Sequence, residues 1–331
     1  AIKLHFQPRW FVRVVHLAMG DDEPEAKRRK ALTRLNSQAC IGEKKSVYEG
    51  TNAVPRSGTP GRVLHLGLTD GEIANRVIVV GHHTRADLLS QFLQPEDAGS
   101  LFKLASDRGF LTYTGKFAGE RLSVVSIGMG LAMMDFFLRE ARAVVAGPMA
   151  VVRLGTCGCL QESVKVGNVS VADGSALVQR NYSHFDSSSP AHAQPYTISE
   201  LCLPDSELNS SIVSALQKAM GSDKVNEGTN ITADSFYSSQ GRADPSFNDE
   251  NGRLISEVLK KYPKAITMEM ETFQLFHLAR SCLPKGSMRA AAAVVNVANR
   301  PTGEVVGEEA LRFAESEGGK ALMKALAELR L

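Results

Sequence analysis

From Arg62 onward, short runs of Val and Ile alternate with longer stretches in which apolar residues recur every three or four positions. The short runs suit strands buried on both faces, and the longer stretches suit helices laid over them. RVIVVG (76–81), RLSVVSIGMG (121–130) and AVVRLGTCG (150–158) are predicted strands; VGNVSVADGSALV (166–178) is predicted to be a strand with a turn. ELNSSIVSALQKAM (207–220) has the period of an amphipathic helix, and TMEMETFQLFHLARSCL (267–283) reads as a strand entering a helix. In the latter, Phe273, Phe276 and His277 recur at helical spacing and are assigned to the core. A closing amphipathic helix is expected from Glu308 to Leu331, with an apolar stripe of Ala310, Leu311, Ala314, Leu322, Ala325, Leu326 and Leu329. Strands alternating with crossover helices define an α/β fold.

Residues 1–61 have a different texture. Charges, Pro and Gly mix there with little periodicity, so 1–61 is expected to be an N-terminal extension, partly ordered, and 62–331 the folded domain. The basic run Lys27 to Lys30 fits a solvated charge cluster better than a targeting signal. The first 20 residues carry Lys3, Arg9 and Arg13 without an acid but lack the apolar segment of a presequence. With 38 basic and 36 acidic side chains, the net charge of +2 gives no global field toward nucleic acid or an anionic membrane. No apolar run reaches the roughly 18 residues needed to span a bilayer. Five cysteines, odd in number and scattered, do not form a disulfide framework, and Cys157 and Cys159 lack a second pair at zinc-site spacing. A reducing, cytoplasmic location is the expectation.

Each predicted strand stops at a glycine, where α/β enzymes place ligand loops because backbone N–H groups can approach an anion there. In GHHTR (81–85) an arginine follows such a glycine, and in RLGTCG (153–158) an arginine and the Thr156 hydroxyl flank another. Either suits a phosphate, since guanidinium offers planar bidentate donors, although a lone arginine at a strand end more often just faces solvent. Glu269-Met270-Glu271 lies where a strand gives way to a helix; a carboxylate there either accepts two vicinal hydroxyls or serves as a first-turn acid. FYSSQGR (236–242) supplies an aromatic, an amide and a guanidinium, of which Gln240 can pair with an imide edge and Arg242 can face a carbonyl gaining negative charge. Gly128-Met129-Gly130 lacks the third glycine of a dinucleotide fingerprint. Walker, nucleophile-elbow and HExxH patterns are absent.

Taken in order, HLGLT (65–69), VVGHHTR, RGF (108–110), SIGMG, RLGTCG, VGNVSVAD, DSFYSSQGR (234–242), MEME (268–271) and VANR (297–300) resemble the uridine phosphorylase branch of the nucleoside phosphorylase family. The resemblance spans residues 62–331. It implies a single-domain three-layer α/β sandwich on a mixed, partly barrel-like sheet, and a homodimer with shared active sites. It implies that Gly81, Arg85, Arg153 and Thr156 bind phosphate together with Arg108 of the partner subunit. Met270 and Glu271 would bind ribose, with His65 of the partner subunit at the 5′-hydroxyl. Phe236, Gln240, Arg242 and Arg300 would bind the base, and Arg242, Gln240, Arg153 and Glu271 would carry catalysis. Inorganic phosphate would be the co-substrate, with no cofactor, and the reaction would convert uridine to uracil and ribose 1-phosphate in pyrimidine salvage. Asn299, where purine-specific relatives place an acid, disfavours purines.

Three departures from the family pattern stand out: His82-His83 in the first phosphate loop, Cys157 where a hydroxyl is usual, and Gly109 where an acid helps hold an intersubunit cation. The last leaves the identity, and the presence, of a metal open. A purine nucleoside phosphorylase, a nucleosidase and a non-catalytic nucleoside-binding relative are the alternatives.

Overall fold

In the computed structural model, residues 61–96, 99–186 and 194–331 are described. The expected extension (all but Gly61), Lys27 to Lys30 and Cys40 lie outside them. Ten strands form one mixed sheet: β1 (Arg76–Val80), β2 (Phe102–Ala105), β3 (Leu111–Phe117), β4 (Glu120–Ser126), β5 (Met149–Cys159), β6 (Val169–Arg180), β7 (Tyr196–Ile198), β8 (Val225–Ala233), β9 (Ala265–Glu269) and β10 (Met288–Asn299). Among the described residues six α-helices accompany them: α1 (His83–Ser90), α2 (Leu131–Ala143), α3 (Ser206–Met220), α4 (Leu254–Lys261), α5 (Thr272–Ser281) and α6 (Glu308–Glu328).

β5 is the hub. Its first half pairs in parallel with β1 on one side and β10 on the other, and its last two residues pair antiparallel with β9. Since β10 continues through β6 and β8 to β9, the five strands β5, β10, β6, β8 and β9 close on themselves, while β1, β4, β3 and β2 run out as an open wing. The sheet is therefore mixed and partly closed, as the family resemblance implied.

Period-two alternation explains the three layers. Ile78, Val80, Val152, Leu154, Ala291 and Ala293 face a core completed by α1, α3 and α6. Their neighbours Val77, Val79, Val151, Ala290 and Ala292 face a second core completed by α2 and α5. Full burial of each larger aliphatic side chain contributes about 1.5–3 kcal/mol. α4 covers a smaller cluster on the closed part of the sheet, formed with Val178, Ile231 and Met268.

Three details differ from expectation. The turn expected in 166–178 is a register shift between Ala172 and Gly174 inside one long strand; a Cβ on Gly174 would press on Leu203. His277 is exposed, because the buried stripe of α5 is Thr272, Leu275, Phe276 and Ala279, and one further residue turns about 100° away; its ring instead stacks on half-buried Phe273 at 5.9 Å. Ala310 is exposed in the first turn of α6, before the helix reaches the sheet.

The middle of α6 carries Gly318 and Gly319, both buried. A Cβ on Gly319 would overlap Leu89 of α1 and crowd Leu154 of β5, so the glycine lets α6 approach both. The Gly319→Val variant is expected to lose about 1–3 kcal/mol of stability from overpacking, read as a lower midpoint in urea unfolding. An unchanged midpoint would mean that α6 does not need this close approach.

Candidate active site

Arg153 lies on the inner part of β5 and is only 5% exposed. Its Nη2 pairs with Glu269 at 3.0 Å and with Glu271 at a shorter contact. Glu269 is the last residue of β9 and Glu271, two residues on, is the N-cap of α5, and both carboxylates reach one guanidinium. The guanidinium lies flat against Gly155, where any Cβ would overlap it. Gly155 is therefore glycine for close approach, not for turn geometry.

The two glutamates are held differently. Glu269 accepts from Asn230 Nδ2 at 2.8 Å, Thr232 Oγ1 at 2.6 Å and the backbone N–H groups of Glu271 and Thr272 at the start of α5. Burial pushes its pKa up, but the Arg153 charge and these donors outweigh burial and hold it below the usual carboxylate range. Glu271 accepts from Arg153 and from the Gly130 amide at the mouth of α2. For Glu271 burial dominates, and with the negative charge of Glu269 beside it the carboxyl sits above its ordinary value despite Arg153.

These residues open onto a cavity of about 820 Å³ that is also lined by Gly81, His82, Arg85, Ser126, Thr156, Phe236, Gln240, Arg242 and Met270. Arg85, in the first turn of α1, is buried and donates to Glu315 of α6 at 2.8 Å and to the Leu154 carbonyl at 3.2 Å. Burial lowers its pKa, with Glu315 opposing. Two buried polar atoms of the lining have no internal partner, Arg153 Nη1 and Ser126 Oγ. Orphaned polar groups of this kind call for a ligand or water, and a guanidinium N–H suits an oxyanion.

Across the cavity, β8 leads into the loop that carries Phe236, Gln240 and Arg242. Gln240 is 2% exposed although it lines the cavity. Arg242 stacks on the Phe236 ring at 4.1 Å and donates from Nε to the Phe236 carbonyl at 3.0 Å. Arg300 stands just behind the lining, its stem against Gly158 and its Nη1 3.4 Å from Met268 Sδ; burial and the nearby charge of Arg242 both lower its pKa.

Thus Gly81, Arg85, Arg153, Thr156, Phe236, Gln240, Arg242, Met270 and Glu271 come together in one cavity, and Arg300 adjoins it. Arg108 and His65 are not in its lining. Arg108 is exposed on the turn between β2 and β3, whereas the His65 ring stacks on Phe136 at 4.0 Å and meets Glu140 through Nδ1 at 2.6 Å. Asn299 does not face the cavity: its amide donates to the carbonyls of Gln161 and Val164, and its oxygen accepts from the Thr302 amide. Cys157 turns its thiol toward Val295 and Asn296 of β10, and burial pushes the thiol pKa well up. Sequence reasoning missed Glu269 as a holder of Arg153, and it missed Ser126 and Glu315. The two-residue spacing of 269 and 271 was the one available signal. Among the described residues no cluster of three or more His, Cys, Asp or Glu is placed to hold a metal ion, and no helix is long and apolar enough to cross a membrane.

A family model described as the phosphorylase superfamily matches residues 75–329, and the chain belongs to that superfamily. It is a phosphorylase-family enzyme of the pentosyltransferase class. A uridine phosphorylase structure from the oomycete Phytophthora capsici superposes with a TM-score of 0.77 at 39% identity, over 83% of this chain and 97% of that one. The uridine phosphorylase of Vibrio fischeri, 20% identical with a TM-score of 0.63 over 82% of this chain and 100% of its own, shares the fold. In sequence, a DeoD-type purine nucleoside phosphorylase from Oceanobacillus iheyensis is 29% identical over 221 residues, 65% of this chain and 80% of the relative.

The raised pKa of Glu271 has a thermodynamic consequence. A carboxyl raised in the folded state contributes stability that is present below the unfolded value of about 4.3 and is lost as pH rises through the folded value. Relative to Glu271→Gln, the wild-type chain is expected to lose stability as pH rises from about 4, measured by urea unfolding of both proteins at several pH values. A stability difference that stays flat with pH would show Glu271 ionising as an ordinary surface glutamate does.

Proposed function

We propose that this chain is a uridine phosphorylase, converting uridine and inorganic phosphate reversibly to uracil and ribose 1-phosphate. The observation that carries the reading is the loop of Gln240 and Arg242, set beside Phe236 on the same cavity as the partly unpaired Arg153. The amide of Gln240 can pair with a uracil edge, and Arg242, with Arg300 behind it, offers positive charge to a carbonyl. Both carboxylates of the lining are already engaged with Arg153, so the base side presents cationic and amide groups. This suits a base that leaves as an anion more than one that must be protonated.

In this reading phosphate takes Arg153 Nη1, Arg85, Thr156 and the backbone at Gly81, with Arg108 of the partner subunit closing the site. Glu271, with lone pairs to spare beyond Arg153 and Gly130, accepts the ribose 2′- and 3′-hydroxyls; Met270 packs against the sugar, and His65 of the partner subunit meets the 5′-hydroxyl. A phosphate oxygen forms the new bond to C1′ as the bond from C1′ to the base nitrogen breaks and its electron pair departs with uracil. Phosphate and Glu271 stabilise the cation-like sugar, and Arg242 and Gln240 stabilise the anion-like base. The displacement of His65 and Arg108 from the cavity lining supports a homodimer with shared sites. The free thiols of Cys157, Cys159, Cys202 and Cys282 support a cytoplasmic setting, with pyrimidine salvage as the role.

A second reading, phosphorolysis of purine nucleosides, is favoured by the DeoD-type relatives. Release of free base from uridine and inosine, with and without phosphate, separates the two. Uridine cleavage that requires phosphate is expected, with inosine left intact and 2′-deoxyuridine at least about tenfold poorer in kcat/KM because part of Glu271 would go unpaired. Preferred cleavage of inosine would replace this reading with the second, and cleavage without phosphate would make the enzyme a hydrolase.

A further inference from the structure

The loop that presents Gln240 and Arg242 is closed by a side chain from outside it. Within the loop, Ser239 bonds Asp234, and Ser235 Oγ lies 2.8 Å from Ser238 Oγ; these contacts span at most five residues. Asn251 reaches in from the turn just before α4. Its single Nδ2 group donates to the Ser238 carbonyl at 3.0 Å and to the Arg242 carbonyl at 2.9 Å, so its two hydrogens close the loop on both sides of Gln240. Between those carbonyls Gly241 adopts φ of +63° and lies so near α4 that a Cβ would stand 3.1 Å from Ile255 Cγ1.

Asn251 is itself held by an unusual segment. Glu250, the preceding residue, has φ of +46°, a left-handed conformation that non-glycine residues adopt at a cost. The surroundings hold it there: Arg180 bonds the Asp249 carboxylate and the Asn248 carbonyl, Tyr196 donates to the Asp249 carbonyl at 2.7 Å, and His184 meets Glu250 at 2.9 Å. Asn248 and Glu250 are exposed and Asp249 is half-buried, whereas Asn251 is 9% exposed. The contacts thus converge on a strained turn whose buried side chain is the one that grips the loop.

We infer that Asn251 is a positioning residue for base recognition, fixing the Gln240–Arg242 loop in the shape that holds the base. The inference rests on the reading of that loop as the base site. Only an amide of this length supplies two donors from one atom; aspartate offers none and repels both carbonyls, and serine offers one.

The test uses Asn251→Asp and Asn251→Ser in the full chain, with steady-state kinetics toward uridine and phosphate and hydrogen–deuterium exchange of the loop amides. Loss of two hydrogen bonds is expected to raise the KM for uridine about ten- to a hundredfold in Asn251→Asp. The smaller rise in Asn251→Ser would be about tenfold or less, with the phosphate KM within about twofold of wild type in both. Exchange at 239–242 should accelerate while exchange in β5 stays as it is. A merely structural role would lower the active fraction and leave both KM values alone. Unchanged uridine KM, equal loss toward uridine and phosphate, or unchanged exchange at 239–242 would each overturn the assignment. A wild-type chain that leaves uridine intact in the presence of phosphate would overturn the functional reading alone, with the exchange data still deciding on the clamp.

Discussion

Arg153 is a guanidinium taken out of water and set between two carboxylates, Glu269 and Glu271. Desolvating three ions costs several kcal/mol each, and their attraction offsets that only where geometry is good and the remaining donors and acceptors are satisfied. The surrounding sequence meets this condition piece by piece. Gly155 leaves room for the guanidinium; Asn230, Thr232 and the first amides of α5 hold Glu269; the Gly130 amide holds Glu271. One interaction thereby joins β5, β8, β9 and the ends of α2 and α5. Arg153 Nη1 is left without an internal partner.

The closed part of the sheet makes this possible. β9 pairs with β5 at Gly158 and Cys159, through Met268 and Thr267, whereas at Arg153 β5 is flanked by β1 and β10; the chain leaving β9 then carries Glu269 and Glu271 to the guanidinium. On the other face of the cavity, α6 comes close enough through Gly319 to set Glu315, one turn earlier, against Arg85. The two arginines are thus rigidly supported from opposite directions, which is the condition for binding an anion without reorganisation.

Much of this was legible in the sequence. The Val-rich strands β1, β4 and β5 and their terminal glycines announced both the sheet and the edge that carries the cavity, and the arginine, glutamate and glutamine motifs collected there. β10 was not legible: Ala290 to Ala293 carry no strand preference and no alternation, and they form a strand because β5 pairs with all four, β6 joins at Ala293, and helices cover both faces. Glu315 was equally hidden, since it meets Arg85 across 230 residues. The role of Asn299 was hidden for the same reason: the bend after β10 uses its amide to tie down carbonyls of 161–164. Local pattern reports which residues lie at a strand end, but which of them turn inward depends on partners far along the chain.

Whether Arg153 binds phosphate through its unpaired nitrogen is tested most directly by Arg153→Lys, which keeps the charge and removes the planar fork. A lysine can satisfy the two glutamates or reach phosphate, and with the carboxylates on either side of it the ammonium is expected to stay with them. The phosphate KM should then rise by about ten- to a hundredfold, as for a lost charge-assisted hydrogen bond, with a much smaller change in the uridine KM. An Arg153→Lys enzyme with wild-type phosphate KM would contradict the assignment and leave Arg153 as a structural ion pair alone.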